Sequence, residues 1–450
     1  MHRNFLLCLA TFLAVMLLLT AGCHNVQNGK APVNDKLSAN EQAEGEKRIL
    51  TIAVYDDYYK LDLVIDRFTA LHPDVSVEVD NYHGDEEKYK LQVTTQLLAG
   101  KAPDIMDAWL SAEEKLSDSG LLADIYPLLR NDPAFHENEY FMNVIDAMAY
   151  KGKLIVFPVS WSYRMIGVNN MFSGELVERF SGYETISYRQ LFDLYNSLED
   201  KGGRYLSGNI DIITAVAENI NEYIDSANKK CYFNTPEFIE FITGAKNCTP
   251  SRKAADGELG WWFGPKIYRA DQEQYAKQYC FAEAPSNIPF FDFPCLEKEV
   301  FTYYIPLVSA QGKIFQMVGR RYCINGASKN QGLSWEFIKF LTTPEANEYI
   351  YQPSFSVNRE LYRTSVSANI VEFIDDWRKI AGNTIVGDTE EIVGQVMAKL
   401  APYNDMPMEN NQFWHFDIIR DLLTSYYNGF ITAEQAASEL QNKVSLILQE

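Results

Sequence analysis

Positive charge is the first thing this chain is short of. Its 450 residues carry 40 Lys and Arg against 61 Asp and Glu, a formal charge of −21. Such a field repels phosphate backbones, which excludes nucleic acid as a natural partner. Cysteine and histidine are also sparse, at seven and six residues. There is no Cys-x-x-Cys pair, no His-Glu-x-x-His, no Gly-x-Ser-x-Gly and no phosphate-cradling glycine loop, so neither a zinc site nor a familiar hydrolase centre is indicated. No cofactor, metal or catalytic residue is expected. Beyond the first 22 residues no run of eighteen uncharged apolar residues occurs, so a multi-span membrane protein is excluded.

What is present begins with an export signal. Arg3 precedes an uncharged apolar stretch from Phe5 to Leu19, followed by the small residues Thr20, Ala21 and Gly22 before Cys23. Leu19-Thr20-Ala21-Gly22-Cys23 resembles the lipobox of bacterial lipoproteins, with Thr20 where Leu is usual. The resemblance implies a lipid on Cys23, removal of residues 1–22, and a position on the outer face of the cytoplasmic membrane. From 23 to 48 the chain has the composition of a flexible tether. The five later cysteines, at 231, 248, 280, 295 and 323, leave both one or two bridges and buried free thiols open.

At this length two lobes are expected, each with its own core. Leu50, Ile52 and Val54 alternate as a strand; Leu61, Val64, Ile65, Phe68 and Leu71 recur at helical spacing and stop at His72-Pro73; Val75, Val77 and Val79 alternate again. A second helix carries Tyr89, Val93 and Leu97 to Gly100, and Pro103 to Met106 reads as a third strand. This strand-helix alternation predicts an α/β fold with a mostly parallel sheet. Ligands of such sheets bind beyond the carboxyl ends of the strands, where Tyr55-Asp56-Asp57-Tyr58-Tyr59 and Asp107-Ala108-Trp109 lie. Leu154 to Val159 is a further strand candidate. Helices are expected over Tyr188 to Leu198, Pro236 to Ala245, Leu333 to Leu341 and Ala433 to Leu448.

Several segments form an ordered set. Gly100-Lys101-Ala102-Pro103-Asp104-Ile105 resembles the Gly-x-x-Pro-Asp-Ile hallmark of the maltose-binding-like, family 1 extracellular solute-binding proteins. Phe68 to Pro73, Gly120 to Ile125, Lys151 to Ser160, Ala327 to Asn330 and Trp335 to Leu341 are similar to further segments of that family. Phe315 to Tyr322 stands where the family usually has a glycine-rich segment. The resemblance implies a two-lobed, periplasmic-binding-protein-like type II fold with the ligand cleft between lobes. Interlobe crossings are expected near 158–164, 315–324 and 350–360. The first lobe would take 49–158 plus about 322–355, and the second about 159–321 plus 356–450. It also implies a monomer that captures a carbohydrate by hinge closure and delivers it to the transmembrane permease subunits of an ABC importer.

Sugars need donors and acceptors for their hydroxyls and flat aromatic surfaces for their C–H faces. The candidate ligand residues are Tyr55, Asp57, Tyr58, Asp107, Trp109, Trp161, Tyr163, Trp261, Trp262 and Arg320. Core packing is the competing explanation for each aromatic, and a solvated surface for each charge. Arg320 with Arg321 would also suit a carboxylate on the ligand. A same-fold receptor for peptide, polyamine or metal, and a lipid-anchored glycosidase, are the other readings.

Overall fold

A computed structural model of the protein describes residues 47–56, 60–110, 113–208, 210–226, 228–248, 275–286, 300–347, 354–381, 387–409 and 416–449. The expected leader, the tether up to residue 46, Cys23 and Cys295 lie outside the described residues. Among the described residues no helix is long and apolar enough to cross a membrane, and Cys231, Cys248, Cys280 and Cys323 are buried free thiols.

The first sheet follows from the alternating strands. β1 (Arg48–Val54) runs parallel to β2 (Val75–Asn81) on one side and to β3 (Ile105–Asp107) on the other. The helices Leu61–Leu71 and Glu86–Leu98 connect them. The first buries Leu61, Val64 and Phe68 and ends where His72 closes on the Phe68 carbonyl before Pro73. Each such side chain contributes roughly 1.5–3 kcal/mol by leaving water. The second is capped by Asp85, whose side chain accepts the Lys88 N–H. β4 (Phe157–Pro158) belongs to the same sheet, and β5 (Ser160–Asn169) to a second one. Leu154 to Val159 is therefore not one strand; Lys153–Leu154 pairs with Ala149–Tyr150 in a hairpin instead.

Around β5 the second sheet gathers β6 (Phe281–Pro285), β7 (Phe301–Val308) and β8 (Ile314–Val318), all antiparallel to it. β9 (Arg321–Ile324) returns to the first sheet, antiparallel to β3 and β4. β10 (Phe355–Ser356) joins β5 antiparallel, and β11 (Met408–Glu409) lies parallel to β8. The expected parallel character thus holds for β1 to β3 and is corrected for the second sheet. Direction depends on which strands pair, and β5 pairs mainly with strands that run back toward the first lobe.

The chain passes between sheets at Val159 and again at Gly319-Arg320, and Phe355–Ser356 later rejoins the second sheet. The two passages are stitched together: Val159 N–H donates to the Arg320 carbonyl at 2.7 Å, and Gly319 N–H donates to the Ser160 carbonyl at 3.0 Å. A Cβ at Gly319 would come within 2.4 Å of Ser160 Oγ, the oxygen that accepts the Arg320 N–H at 2.9 Å. Gly319→Ala should therefore destabilise the protein by about 1–3 kcal/mol, read as a lower urea midpoint. Gly394, exposed in the helix Thr389–Asn404, has nothing within 4 Å of its added Cβ. Gly394→Ala should raise the midpoint, by about 0.5–1 kcal/mol; equal shifts in the two variants would refute the close-approach argument.

The hallmark segments prove to be internal fastenings. The Asp104 carboxylate accepts the N–H and hydroxyl of Thr51 on β1, both at 2.9 Å, and the Ser328 hydroxyl at 2.5 Å. Asn330 reaches the same carboxylate at 3.3 Å. Pro-Asp-Ile and Ser-Lys-Asn are thus one contact across 224 residues. Asp132 likewise accepts from Trp335 Nε1 at 2.8 Å and from Lys339 Nζ at 2.5 Å, which seats the helix Gln331–Phe340.

Candidate functional site

The carboxyl ends of β1 and β3 meet the second passage at one cluster of side chains. Asp107, at the end of β3, is 1% exposed, and Arg320, at the passage, is 8% exposed. Asp107 Oδ2 accepts from Arg320 Nη1 at 3.0 Å and from the Tyr55 backbone N–H at 2.8 Å. Arg320 Nη2 donates to the Asp56 carbonyl at 2.9 Å. The Tyr89 hydroxyl donates to the Asp107 carbonyl at 2.6 Å. Burial pushes the Asp107 carboxyl up to about 6, although Arg320 and the Tyr55 N–H pull the other way. Oδ1 is buried with no hydrogen-bond partner, which accounts for the dominance of desolvation.

Above this pair lies an aromatic step. Tyr55 and Trp109 have ring centroids 5.6 Å apart at 37°, and Trp109 is 36% exposed. Arg321 places its guanidinium over the Trp109 ring, 5.1 Å from the centroid, while Nε donates to the Ala108 carbonyl at 2.8 Å. Glu113, whose Oε1 accepts the Leu110 N–H at 3.1 Å, has its carboxyl raised by burial, against the pull of Arg321.

The structure thus brings Tyr55, Asp107, Trp109 and Arg320 together, in distinct positions. Tyr55 and Trp109 offer partly exposed rings, whereas Asp107 and Arg320 are spent on each other beneath them. Trp161 and Tyr163 require a correction: both are wholly buried. Trp161 packs edge-on against Phe141 and Phe355, and its Nε1 donates to the Ser356 carbonyl at 3.1 Å. Tyr163 is enclosed by Trp161, Phe355 and Tyr403. A strand central to its sheet buries both faces, so these rings fasten β5 to β10 and present no surface to a ligand. Asp57, Tyr58, Trp261 and Trp262 lie outside the described residues. Arg321 gains most from the fold, since its place on Trp109 depends on strand register that sequence spacing does not reveal.

A second buried charge cluster sits under the second sheet. Arg164 on β5 donates from Nε to Glu218 at 2.8 Å and pairs with Glu283 on β6, and the Tyr188 hydroxyl donates to Glu218 at 2.7 Å. Burial pushes the Glu283 carboxyl up to about 7, with Arg164 opposing. Among the described residues no group of three His, Cys, Asp or Glu could hold a metal ion.

Residues 54–170 match the sequence pattern of the family described as bacterial extracellular solute-binding protein. No curated protein matches the sequence. Among solved structures, the sugar-binding protein MalE from Xanthomonas citri is similar at a TM-score of 0.60 and 14% identity, covering 89% of this chain and 98% of that one. A periplasmic oligogalacturonide-binding protein from Yersinia enterocolitica is similar at 0.57 and 14%, over 89% and 99%. A family 1 extracellular solute-binding protein from Alicyclobacillus acidocaldarius is similar at 0.56 and 12%, over 91% and 100%. At such identities the likeness is one of fold. Residues 54–170 thus carry the sequence pattern of the bacterial extracellular solute-binding family, and the body built around them has the two-lobed fold of the solute-binding proteins it resembles.

Proposed function

We propose that this protein captures a carbohydrate outside the cell and delivers it to the permease of an ABC importer, acting as a binder and not a catalyst. The observation that carries the reading is the step of Tyr55 and Trp109 at the strand ends, seated on the buried Asp107–Arg320 pair where the chain crosses between sheets. Flat, rigid rings suit the C–H faces of a sugar, and the buried pair fixes their position without competing for the ligand. Binding would favour a closed arrangement of lobes comprising 49–158 plus about 322–355 and about 159–321 plus 356–450. Two of the structural relatives bind sugars by their descriptions, a sugar-binding protein and an oligogalacturonide-binding protein. Lipid on Cys23 would hold the protein, as a monomer, at the outer face of the membrane.

The test is a thermal-shift screen of the purified protein against mono- and oligosaccharides, with peptides, amino acids, polyamines and divalent metals alongside. A ligand at 100 times its dissociation constant should stabilise the folded state by about 2.7 kcal/mol. For the saccharide found, Trp109→Ala should weaken binding by about 1–3 kcal/mol, as loss of a stacking surface does, with the unliganded melting temperature little changed because Trp109 is partly exposed. A response confined to the peptide or polyamine panel, or a sugar returned cleaved, would overturn the assignment.

A further inference from the structure

Arg320 and Arg321 are neighbours with opposite fates. Arg320 is consumed by Asp107 and the Asp56 carbonyl. The Arg321 side chain has a single hydrogen bond among the described residues, from Nε to the Ala108 carbonyl; neither Nη nitrogen meets an acceptor there. Its guanidinium is held by that bond and lies over the Trp109 ring, 5.1 Å from the centroid. Burial disfavours its charged form, and Glu113 is its strongest electrostatic counterweight. Yet Glu113 forms no ion pair with it, and one of that carboxylate's oxygens is occupied by the Leu110 N–H. A guanidinium that is half dehydrated, oriented and unmatched at its outer fork is costly unless something completes it. The fork geometry fits the two oxygens of a carboxylate.

We propose that Arg321, held over the Trp109 ring beside Tyr55, receives a carboxylate of the ligand, so that the site selects acidic saccharides such as uronic acids over neutral ones. The inference rests on the carbohydrate reading and narrows it. A sugar ring seated on the Tyr55–Trp109 step places its substituents next to the guanidinium that caps the same indole. The net charge of −21 opposes approach of an anion at long range. At physiological salt that repulsion is screened beyond about 8 Å, so the choice is made by the local fork.

The experiment is calorimetric titration of the purified protein with oligomers of galacturonic and glucuronic acid, with their methyl esters, and with the neutral galactose and glucose counterparts. The acid should bind about 10- to 100-fold more tightly than its own ester, as expected for a hydrogen-bonded charge pair. Arg321→Gln should collapse that ratio toward one, and Arg321→Lys should retain part of it. The acid-to-ester ratio on the unaltered protein needs no variant to fold. Neutral sugars that bind while the acid gains nothing over its ester would overturn this inference and leave the carbohydrate reading standing. If no saccharide of any kind binds, both fall. Preference for a sulfated or phosphorylated sugar over the uronate would overturn the carboxylate assignment.

Discussion

Replacing Arg320 by Met should lower the free energy of unfolding by about 3–5 kcal/mol, the cost of leaving a buried charge without its partner. Asp107 is 1% exposed, and its Oδ1 already lacks a partner. Without the guanidinium at 3.0 Å, only the Tyr55 N–H remains on the carboxylate. Its carboxyl, pushed to about 6 with Arg320 in place, would rise further, so the variant should be markedly less deficient at pH 5 than at pH 8. Pairing Arg320→Met with Asp107→Leu should recover most of the loss, because a well-packed apolar pair is often as stable as the ion pair it replaces. Denaturant titrations of the two single variants and the double variant measure the coupling. A loss below about 1 kcal/mol for Arg320→Met, the range of exposed pairs, would contradict the buried-pair description.

The second large effect is expected at Arg164, which holds Glu218 and Glu283 beneath the second sheet. Arg164→Met should cost about 3–5 kcal/mol at pH 8 by the same argument, and the deficit should shrink as Glu283 takes a proton. The pH dependence of the unaltered protein follows from the same groups. Glu283 is raised from 4.5 to about 7 and Asp107 from 3.8 to about 6, each chiefly by burial. The folded state therefore holds these protons more tightly than the unfolded chain. Their contribution to stability is full below about 4 and is lost as pH rises through 6 and 7. Asp74 and Asp118 have lowered carboxyls through Arg48 and Lys151, and Asp132 does so although burial opposes it, through Lys339, the Ala134 N–H and Trp335; all lose their contribution as the solution becomes more acid than their unfolded values. Stability should consequently be greatest near pH 4 and decline toward pH 8, and Glu283→Gln should flatten the decline. A melting temperature that rises steadily from pH 5 to pH 8 would contradict this assignment.

Much of the first lobe was legible because its signals are local. Leu50, Ile52 and Val54 alternate, Phe68 falls at helical spacing, and Pro73 and Gly100 mark ends; β1, β2, β3 and the two helices follow. The meeting of Tyr55 with Asp107 was also legible, since the ends of parallel neighbours must adjoin. Strand direction in the second sheet was not, because pairing across more than a hundred residues leaves no local mark. Nor was the helix Arg359–Ala381, where Thr364 and Ser365 weaken helical propensity. There the Ser365 hydroxyl donates back to the Leu361 carbonyl at 2.6 Å. Trp161 and Trp109 show the limit for the site. A large aromatic is equally apt for a core or for a sugar, and only the burial of one and the partial exposure of the other separates them. Arg320 and Arg321 likewise differ only once the pairing of β9 assigns one to Asp107 and the other to Trp109.

On the carbohydrate reading, a saccharide is captured between two lobes that close on it. Small-angle X-ray scattering of the purified protein, free and saturated with the saccharide that most raises its melting temperature, tests it most directly. Closure predicts a smaller radius of gyration in the bound state, with the sugar recovered intact. An unchanged scattering profile at saturation would contradict capture by closure.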